Sequence, residues 1–442
     1  MSTPPYLVIG AGPVGLSMAR ALKQAGLSYT HVEATDHVGG NWAHGVYETA
    51  HIISSKKTTE FPSDPMPADY PDFPSAQQMH AYFEAFADRH QLRGAIRFNT
   101  RLQWCEPDGT KWRCTFDDGT SETFTGVFVC NGHHWARNLP DWTAAFAGEV
   151  LHSKDYKRPE QLAGRRVLVL GGGNSGCDLA SEAGRVASEA DWSLRRGTWI
   201  LPKSLFGRPS VEFISPRVPV AVQRVFVRAM VRAVIGRYSD YGLPEPEDRP
   251  FDRHPTVNSE VFHYLQHGRL GARPGVAGVD GHTVRFVDGT SAEYDVVACG
   301  TGFDVAFPFL PDGLVPVRGK VAQLIGGALV PGYPGLNIVG AYQPRYGLGP
   351  LVEPFTDMLA EWAKLQAEFD VPLVDVLQAL GQAPPPSEVM DPHANLRQIR
   401  MSRLATPLLK WKAKRMARAG HTMPVHPNAA PAMAAPGMRS VA

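Results

Sequence analysis

Apolar residues near the N-terminus first run together and then recur at helical spacing. Residues 6–9 are continuously apolar and predict a short buried strand, and residues 16–25 carry apolar positions on one helical face before Gly26. Residues 29–33 return to a strand pattern. A strand, a glycine turn, a helix and a second strand predict one βαβ unit at the start of the chain.

The same order of elements recurs in the middle of the chain. A strand is predicted from residue 166, followed by a glycine turn, a helix over residues 174–186 and a strand over residues 190–194. Residues 96–131 and 276–300 alternate between apolar and polar positions and contain Asp-Gly turns, which predicts an antiparallel meander in each region. Further elements are predicted as helices over residues 76–90 and 356–369 and a strand over residues 336–341.

These elements predict an α/β fold in which one nucleotide-binding domain is inserted into another. Both domains are expected to be Rossmann-like, each with its own antiparallel meander. The outer domain is expected over residues 1–160 and 300–370, and the inner domain over residues 161–299 with a helical insertion at about 202–255. Residues 371–442 are expected to form a C-terminal helical segment that ends in a disordered tail rich in Ala, Pro and Met.

Composition narrows the class of protein. The 442 residues suffice for two or three domains, and a net charge of +1 predicts no general attraction to nucleic acid. The five cysteines form no Cys-x-x-Cys pair, and neither a secretory signal nor an apolar run long enough to span a membrane is expected. We therefore predict a soluble, cytoplasmic protein. A helix with Arg224, Arg228 and Arg232 on one face suggests peripheral membrane contact, but a solvated face is the favoured interpretation.

The first glycine turn carries a dinucleotide-binding motif, Gly10-Ala11-Gly12-Pro13-Val14-Gly15. Glycines at this spacing permit a tight turn, close approach of the backbone to a pyrophosphate, and close packing of helix on strand. The N–H groups at the helix N-terminus then face the phosphate oxygens. Glu33 follows at the spacing from which an acidic side chain accepts hydrogen bonds from ribose hydroxyls. The first domain is therefore expected to bind a nucleotide.

The second glycine turn carries the same motif with a different charge pattern. It reads Gly171-Gly172-Gly173-Asn174-Ser175-Gly176, and its second strand is followed by Arg195 and Arg196 rather than by an acid. Arginines at this place favour the 2′-phosphate of NADPH, whereas an acid favours the 2′-hydroxyl of NADH. Two nucleotide sites in one chain predict hydride transfer from a nicotinamide to a flavin, so the cofactors expected are FAD and NADPH.

The residues around these motifs resemble those of the class B flavin-containing monooxygenases. The family fingerprint FxGxxxHxxxY is present as Phe146, Gly148, His152 and Tyr156, just before the second glycine motif. Three further segments are similar to the family's flavin segment, its NADP loop and its return to the FAD domain, namely Gly39-Gly40-Asn41-Trp42, Gly173-Asn174-Ser175-Gly176-Cys177-Asp178 and Thr301-Gly302-Phe303. The resemblance adds Asn41 and Trp42 to the expected cofactor-binding residues.

This resemblance implies a reaction and its partners. NADPH would reduce the flavin, O₂ would add to give a C4a-hydroperoxyflavin, and a soft nucleophile (an amine nitrogen or a sulfide sulfur) in a small lipophilic substrate would accept one oxygen atom. The cofactors carry this chemistry, and we assign no metal ligands. His152 and Tyr156, which stand between the two nucleotide motifs, are expected to have a linking rather than a catalytic role. A homodimer remains open.

One segment departs from the family pattern. Many members carry an Asn in an Asn-Ser-Ser-Lys segment that contacts flavin and NADP⁺, and the matching residues here are Ile53-Ser54-Ser55-Lys56. Ile53 and Ser54 are therefore the candidate catalytic positions, but Ile53 cannot donate a hydrogen bond. This departure keeps open an NADPH oxidase or a carbonyl-oxygenating enzyme (Baeyer–Villiger or decarboxylative) on the same scaffold.

Overall fold

The first domain is built on a parallel sheet that receives strands from distant parts of the chain. The computed structural model describes residues 4–214, 218–345, 347–387 and 389–426. The N-terminal strand is the central one of five, with Tyr6 opposite both Tyr29 and Gly126. The strand order is Leu336–Ile338, Gly126–Val129, Tyr6–Ile9, Tyr29–Val32 and Ile96–Arg97, all parallel.

A second parallel sheet forms the other domain. Its central strand, Arg166–Leu170, lies between Glu189–Ser193 and Val296–Cys299. The strand order is Gly271–Arg273, Glu189–Ser193, Arg166–Leu170, Val296–Cys299 and Glu149–His152. Two parallel sheets, each with a central strand that is followed by a glycine turn and a helix, confirm the α/β fold with two Rossmann-like domains.

Both expected meanders are present as three-stranded antiparallel sheets. One contains Leu102–Asp108, Lys111–Phe116 and Ser121–Phe124, and the other contains Val276–Asp280, Thr283–Phe286 and Ser291–Glu293. Short strand pairs complete the strands: Ala136–Arg137 with Phe303–Asp304, Ile200–Leu201 with Thr256–Val257, Ser204–Leu205 with Arg208–Pro209, Val317–Arg318 with Val321–Ala322, and Gln343–Pro344 with Val389–Met390.

The helices match most of the sequence pattern. The helix expected over residues 356–369 begins earlier, at Gly349. Pro350 is tolerated because it lies in the first turn, where its missing N–H has no partner in the helix, and Pro354 is accommodated inside the helix. It packs against the first helix, where the hydroxyls of Ser17 and Thr356 lie 2.8 Å apart. The α-helices described are Pro13–Gln24, Lys56–Thr59, Ala76–Arg89, Asn174–Val186, Val220–Val234, Glu260–Gln266, Gly349–Gln366, Leu373–Ala379, Pro392–Leu404 and Thr406–Arg418.

The domain boundaries differ from the expectation at two places. The second sheet already receives Glu149–His152, before the boundary expected at residue 160, because this strand pairs in parallel with Val296–Cys299. The C-terminal helices bury Leu373, Leu409 and Met416 in one apolar cluster with the helices of the first domain, so they are part of its core. The tail expected to be disordered lies outside the described residues from residue 427 onward.

The basic helix of the insertion spans Val220–Val234 and exposes apolar as well as charged side chains. Its buried positions include Val227, Met230 and Val231, whereas Val225 and Phe226 are 64% and 38% exposed. Arg224 pairs with Asp252 at 2.6 Å. The apolar side chains of this helix are thus divided between the core and solvent. Of the helices described, none has both the length and the apolar character required to cross a bilayer.

Candidate active site between the two domains

The first glycine turn has the geometry that a bound pyrophosphate requires. Gly10 has a φ of +94°, a conformation that residues with a Cβ rarely adopt. A Cβ on Gly15 would lie 1.8 Å from the carbonyl oxygen of Gly10, so this glycine allows the helix to pack on the turn. Above Gly12 the space is open, since a Cβ there would meet nothing nearer than Gly40 Cα at 3.7 Å. No side chain caps the helix that follows, so its N–H groups remain available to phosphate oxygens.

The second glycine turn repeats this geometry. A Cβ on Gly176 would lie 2.1 Å from the carbonyl oxygen of Gly171, and one on Gly173 would meet nothing within 4 Å. The helix Asn174–Val186 likewise begins at Gly173 without a side-chain cap. In both turns the outer glycines are required for packing and the middle glycine faces free space. The residues present therefore fit two dinucleotide cofactors.

Glu33 and Ala11 fix the shape of the first turn. The Glu33 carboxylate accepts a hydrogen bond from the Ala11 backbone N–H at 2.7 Å, and its other oxygen accepts from the backbone N–H and the hydroxyl of Thr35, both at 2.9 Å. A carboxylate has about four acceptor positions, so these contacts leave capacity for a ribose hydroxyl. Pro13 stands in the first turn of the helix, where its missing N–H costs nothing.

Asn41 and Trp42 lie where the first turn faces the second domain. The Asn41 amide donates to the backbone oxygen of His134 at 3.3 Å, and its carbonyl oxygen accepts from the Lys154 ammonium at 2.8 Å. The Trp42 ring packs against the apolar cores of both domains. This segment therefore joins the flavin-side turn to the chain that crosses between the domains.

A cluster of imidazoles and amides in the same cleft was not predicted from the sequence. The Gln343 amide nitrogen lies 3.0 Å from Nε2 of both His133 and His134. His254, from the second domain, approaches His133, and burial lowers the pKa of His254 to about 4. Burial, together with the charges of Lys157 and Arg137, lowers the pKa of Lys154 to about 8. The imidazole of His254 is thus uncharged at neutral pH.

Within this cluster, only His133 and His134 could have been predicted from a sequence pattern. They follow the buried strand Gly126–Val129 at its carboxyl end, where ligands bind in open parallel sheets. His254, Lys154 and Gln343 come from separate segments, and their meeting depends on how the two domains pack.

Asn174 and its neighbours connect the second turn to the rest of the site. The Asn174 side chain donates to the Pro255 carbonyl at 3.2 Å and accepts from the Val257 N–H at 2.9 Å. Tyr47, from the first domain, donates to the Asp178 carboxylate at 2.5 Å, and an interaction with Ser175 favours the phenolate form of Tyr47. Burial and the Asp178 charge nevertheless raise the pKa of Tyr47 well above its usual range, so it remains a donor.

Arg195 and Arg196 follow the second strand of this domain and are both exposed. Burial and the positive charges of Arg253 and Arg195 lower the pKa of Arg196, whereas the carboxylates of Asp248 and Glu247 act in the opposite direction. Arg253 is paired with Asp248 at 3.1 Å, and the ion pairs of the described residues include neither Arg195 nor Arg196. This edge of the domain therefore presents positive charge that the nearby carboxylates compensate only in part.

Ile53 and Ser54 lie on the segment between the domains. The Ile53 side chain is partly buried and packs against the core of the second domain. The Ser54 hydroxyl lies 2.6 Å from that of Thr59, and Ser55 caps the short helix that follows. Both serine hydroxyls are thus already in local hydrogen bonds, so neither replaces a missing Asn without rearrangement.

Of the fingerprint residues, His152 contacts the place where the chain returns to the first domain, and Tyr156 contacts the helix after the second glycine turn. Nε2 of His152 lies 3.0 Å from the Gly302 carbonyl oxygen, and its Nδ1 accepts from the Lys154 backbone N–H at 3.1 Å. The Tyr156 hydroxyl donates to the Glu182 carboxylate at 3.3 Å and its ring is fully buried. The contact with Gly302 favours the linking role expected for His152, whereas the contact of Tyr156 with Glu182 lies within the second domain.

Comparison with known proteins accords with this geometry. A family model described as FMO-like, flavin-binding monooxygenase-like, matches residues 6–405. The chain belongs to this family. It is 31% identical over 389 residues to flavin-containing monooxygenase 3 of Rattus norvegicus, covering 80% of this chain and 72% of that protein. It is 30% identical over 396 residues to dimethylaniline monooxygenase [N-oxide-forming] 2 of the same species, covering 80% of this chain and 72% of that protein.

Comparison with a solved structure supports the same family assignment through the similarity of the fold. A mutant flavin monooxygenase from Stenotrophomonas maltophilia superposes with a TM-score of 0.65 and 25% identity, covering 83% of this chain and 100% of that one. The chain is thus a flavin-containing monooxygenase, an NADPH-dependent oxidoreductase, and its cofactors are FAD and NADPH. The resemblance inferred from the fingerprint is confirmed.

Proposed function

We propose that the protein uses NADPH and O₂ to oxygenate an amine nitrogen or a sulfide sulfur of a small lipophilic substrate. The observation that carries this proposal is a single segment, residues 40–53, which contacts both cofactor sites. Gly40 lies beside Gly12 at the first turn, and Tyr47 bonds to Asp178 on the helix after the second turn. When bound, the flavin accepts reducing equivalents from NADPH and activates O₂.

This segment keeps the two cofactor sites in a fixed relation. Trp42 packs on both apolar cores, and Asn41 is held by Lys154 from the crossing chain. Hydride transfer requires close and aligned groups, so anchoring both sites to one segment supports it without a rearrangement of either turn.

A soft nucleophile suits the polar groups of the cleft. Burial lowers the pKa of His133 and His254, which favours the uncharged form of both imidazoles. A sulfide offers its lone pair directly, and an uncharged imidazole can accept the proton of an ammonium group and so free the lone pair of an amine. The relative whose name specifies N-oxide formation supports the same substrate class.

We propose further that Glu33, Ala11 and the glycines of the first turn hold FAD, and that Asn174, Ser175, Arg195 and Arg196 hold NADPH. Support comes from the open space above both middle glycines and from the exposed positions of the two arginines beside the second strand of that domain. The two arginines would bind the 2′-phosphate through charge-assisted hydrogen bonds.

Ile53 supports a second candidate function. Its apolar side chain shapes the boundary between the domains but supplies no hydrogen bond to the flavin or to NADP⁺. An NADPH oxidase that releases H₂O₂, or an enzyme that oxygenates a carbonyl carbon, is consistent with this replacement.

The experiment offers the FAD-loaded protein NADPH and isotopically labelled O₂ with one substrate class at a time. A tertiary amine, a thioether and a cyclic ketone are compared with no substrate, and NADPH consumed, H₂O₂ released and labelled product are measured. We expect a labelled N-oxide or S-oxide in proportion to NADPH consumed. A lactone formed from the ketone alone favours the carbonyl function, and H₂O₂ equal to NADPH with every substrate favours the oxidase. Gly12→Val protein serves as the control for reactions of free flavin.

A further inference from the structure

Three potential metal ligands lie close together on the loop that follows the strand Tyr29–Val32. Asp36 and His37 precede the Gly39–Gly40 turn, and His44 follows it in the irregular helical segment Asn41–Gly45. Nδ1 of His37 is in contact with an Asp36 carboxylate oxygen and lies 3.0 Å from Nε2 of His44. All three atoms lie within 4.8 Å of one another.

Hydrogen bonding alone does not satisfy these atoms well. To bond with the Asp36 carboxylate, Nδ1 of His37 must carry a proton, because an ionised carboxylate only accepts. The same proton would then have to be shared with His44, or Nε2 of His44 would direct a second proton at it. Nε2 of His37 has no hydrogen-bond partner in the described part of the chain, so no contact there fixes which nitrogen carries the proton.

We propose that Asp36, His37 and His44 bind a divalent transition-metal cation of the zinc type. The rings of His37 and His44 have centroids 3.3 Å apart, so they must turn for both lone pairs to point at one cation. A cation bound in this way accepts all three lone pairs and places the His37 proton on Nε2. Two imidazole nitrogens at about 2.0–2.1 Å from a tetrahedral zinc lie roughly 3.3 Å apart, close to the separation observed. Two nitrogens and one oxygen favour zinc, nickel or copper over magnesium or calcium, which prefer oxygen ligands.

The surroundings allow a cation to enter and to be retained. The Asp36 side chain is 74% exposed, so the site opens to solvent, whereas the His37 side chain is 19% exposed. His80, on the helix Ala76–Arg89, lies behind His37 with ring centroids 5.8 Å apart, and its Nε2 is 3.8 Å from the Glu84 carboxylate. The carboxylates of Asp36 and Glu84 favour a positive charge here.

Occupancy of this site would close the loop that carries the flavin-side glycines. Asp36 and His37 lie on one side of the Gly39–Gly40 turn and His44 on the other, and Gly40 stands beside Gly12. A cation that joins both sides restrains the turn next to the expected FAD pyrophosphate. We therefore expect bound metal to slow the release of FAD several-fold.

The test uses the FAD-loaded protein after chelator treatment and dialysis. Zinc binding is titrated by competition with a chromophoric chelator, and FAD release is followed by flavin fluorescence with and without zinc. Variants are Asp36→Asn, which keeps size and removes charge, and His44→Gln. A matched control replaces His263 and His267 together by Gln, because these exposed residues face one another one helical turn apart and could bind metal themselves.

We expect one zinc per chain, retained in the His263 and His267 control and bound at least about tenfold more weakly in both loop variants, since loss of outer-shell partners alone costs 10–100-fold. Unchanged flavin content in Asp36→Asn shows that its turn is intact. The proposal is overturned if the stripped protein takes up no zinc, or if only the control variant loses it.

Discussion

The pair Arg195 and Arg196 provides a test of cofactor recognition that is independent of the substrate. Both side chains are exposed at the end of the strand Glu189–Ser193, and no carboxylate pairs with either in the described chain. Replacing both by Ala removes two positive charges without breaking an ion pair or opening the core. We expect the variant to bind NADPH more weakly and to bind NADH almost as before.

The size of the effect follows from the exposure of the site. A hydrogen bond to a charged group is worth about 1.5–3 kcal/mol. Solvent screens the exposed arginines, and Arg253 remains nearby with part of its charge compensated by Asp248. We therefore expect a loss of about 1.5–3 kcal/mol for the pair together rather than for each residue, which corresponds to a roughly 10- to 150-fold rise in the KM for NADPH.

The assay measures the KM for NADPH and for NADH in parallel, because NADH lacks only the 2′-phosphate. Arg285→Ala is the matched control, since this exposed arginine lies on the antiparallel sheet of the same domain. It should leave both constants unchanged. Salt should weaken NADPH binding to the wild type more than to the double variant, because exposed charge interactions are screened.

Equal weakening for both cofactors would refute the reasoning. That result would show that the arginines support the domain rather than read the phosphate. An unchanged KM for NADPH would instead assign recognition of the phosphate to other groups, and Arg253 would be the next candidate because of its position beside Arg196.

Three further predictions concern the two turns and the segment between them. Gly12→Val should abolish FAD binding, because the new side chain fills the open space above the turn. The control Gly94→Ala changes an exposed glycine with free space around it, and this variant should keep its yellow flavin. Wild-type flavin content in Gly12→Val would contradict the prediction. Gly173→Val should keep its FAD but lose reduction by NADPH in anaerobic stopped-flow measurements, and loss of both cofactors together would show that the turns are not independent. Ile53→Asn should release several-fold less H₂O₂ per NADPH, since one hydrogen bond is worth about 1 kcal/mol; equal or greater release would show that Ile53 acts through pocket shape alone.

The sequence predicted those parts of the fold that depend on neighbouring residues. A strand, a glycine turn and a helix are adjacent in the chain, so residues 6–25 and 166–186 revealed both nucleotide turns. The meanders followed from alternation and Asp-Gly turns. Local rules failed at Pro354, which lies two residues before the helix start predicted at residue 356, because packing against the first helix carries the helix through this proline.

The cleft between the domains could not be predicted in the same way. Gln343 meets His133 and His134 across about 200 residues of chain, and His254 arrives from the inserted domain. Their contact depends on domain packing, for which periodicity carries no information. The strand Glu149–His152 illustrates the same limit, because its partner strand, Val296–Cys299, is distant in the sequence although the two strands are neighbours in the sheet.

The two chain crossings between the domains lie side by side. Ala136–Arg137 pairs in antiparallel fashion with Phe303–Asp304, and the Asn138 N–H donates to the Gly302 carbonyl at 3.1 Å. The inserted domain is therefore joined to the first domain through one two-stranded ribbon. We expect that exchanging the inserted domain for that of a relative, with both junctions placed inside this ribbon, transfers the preference for a nicotinamide cofactor. The host protein should keep its own flavin.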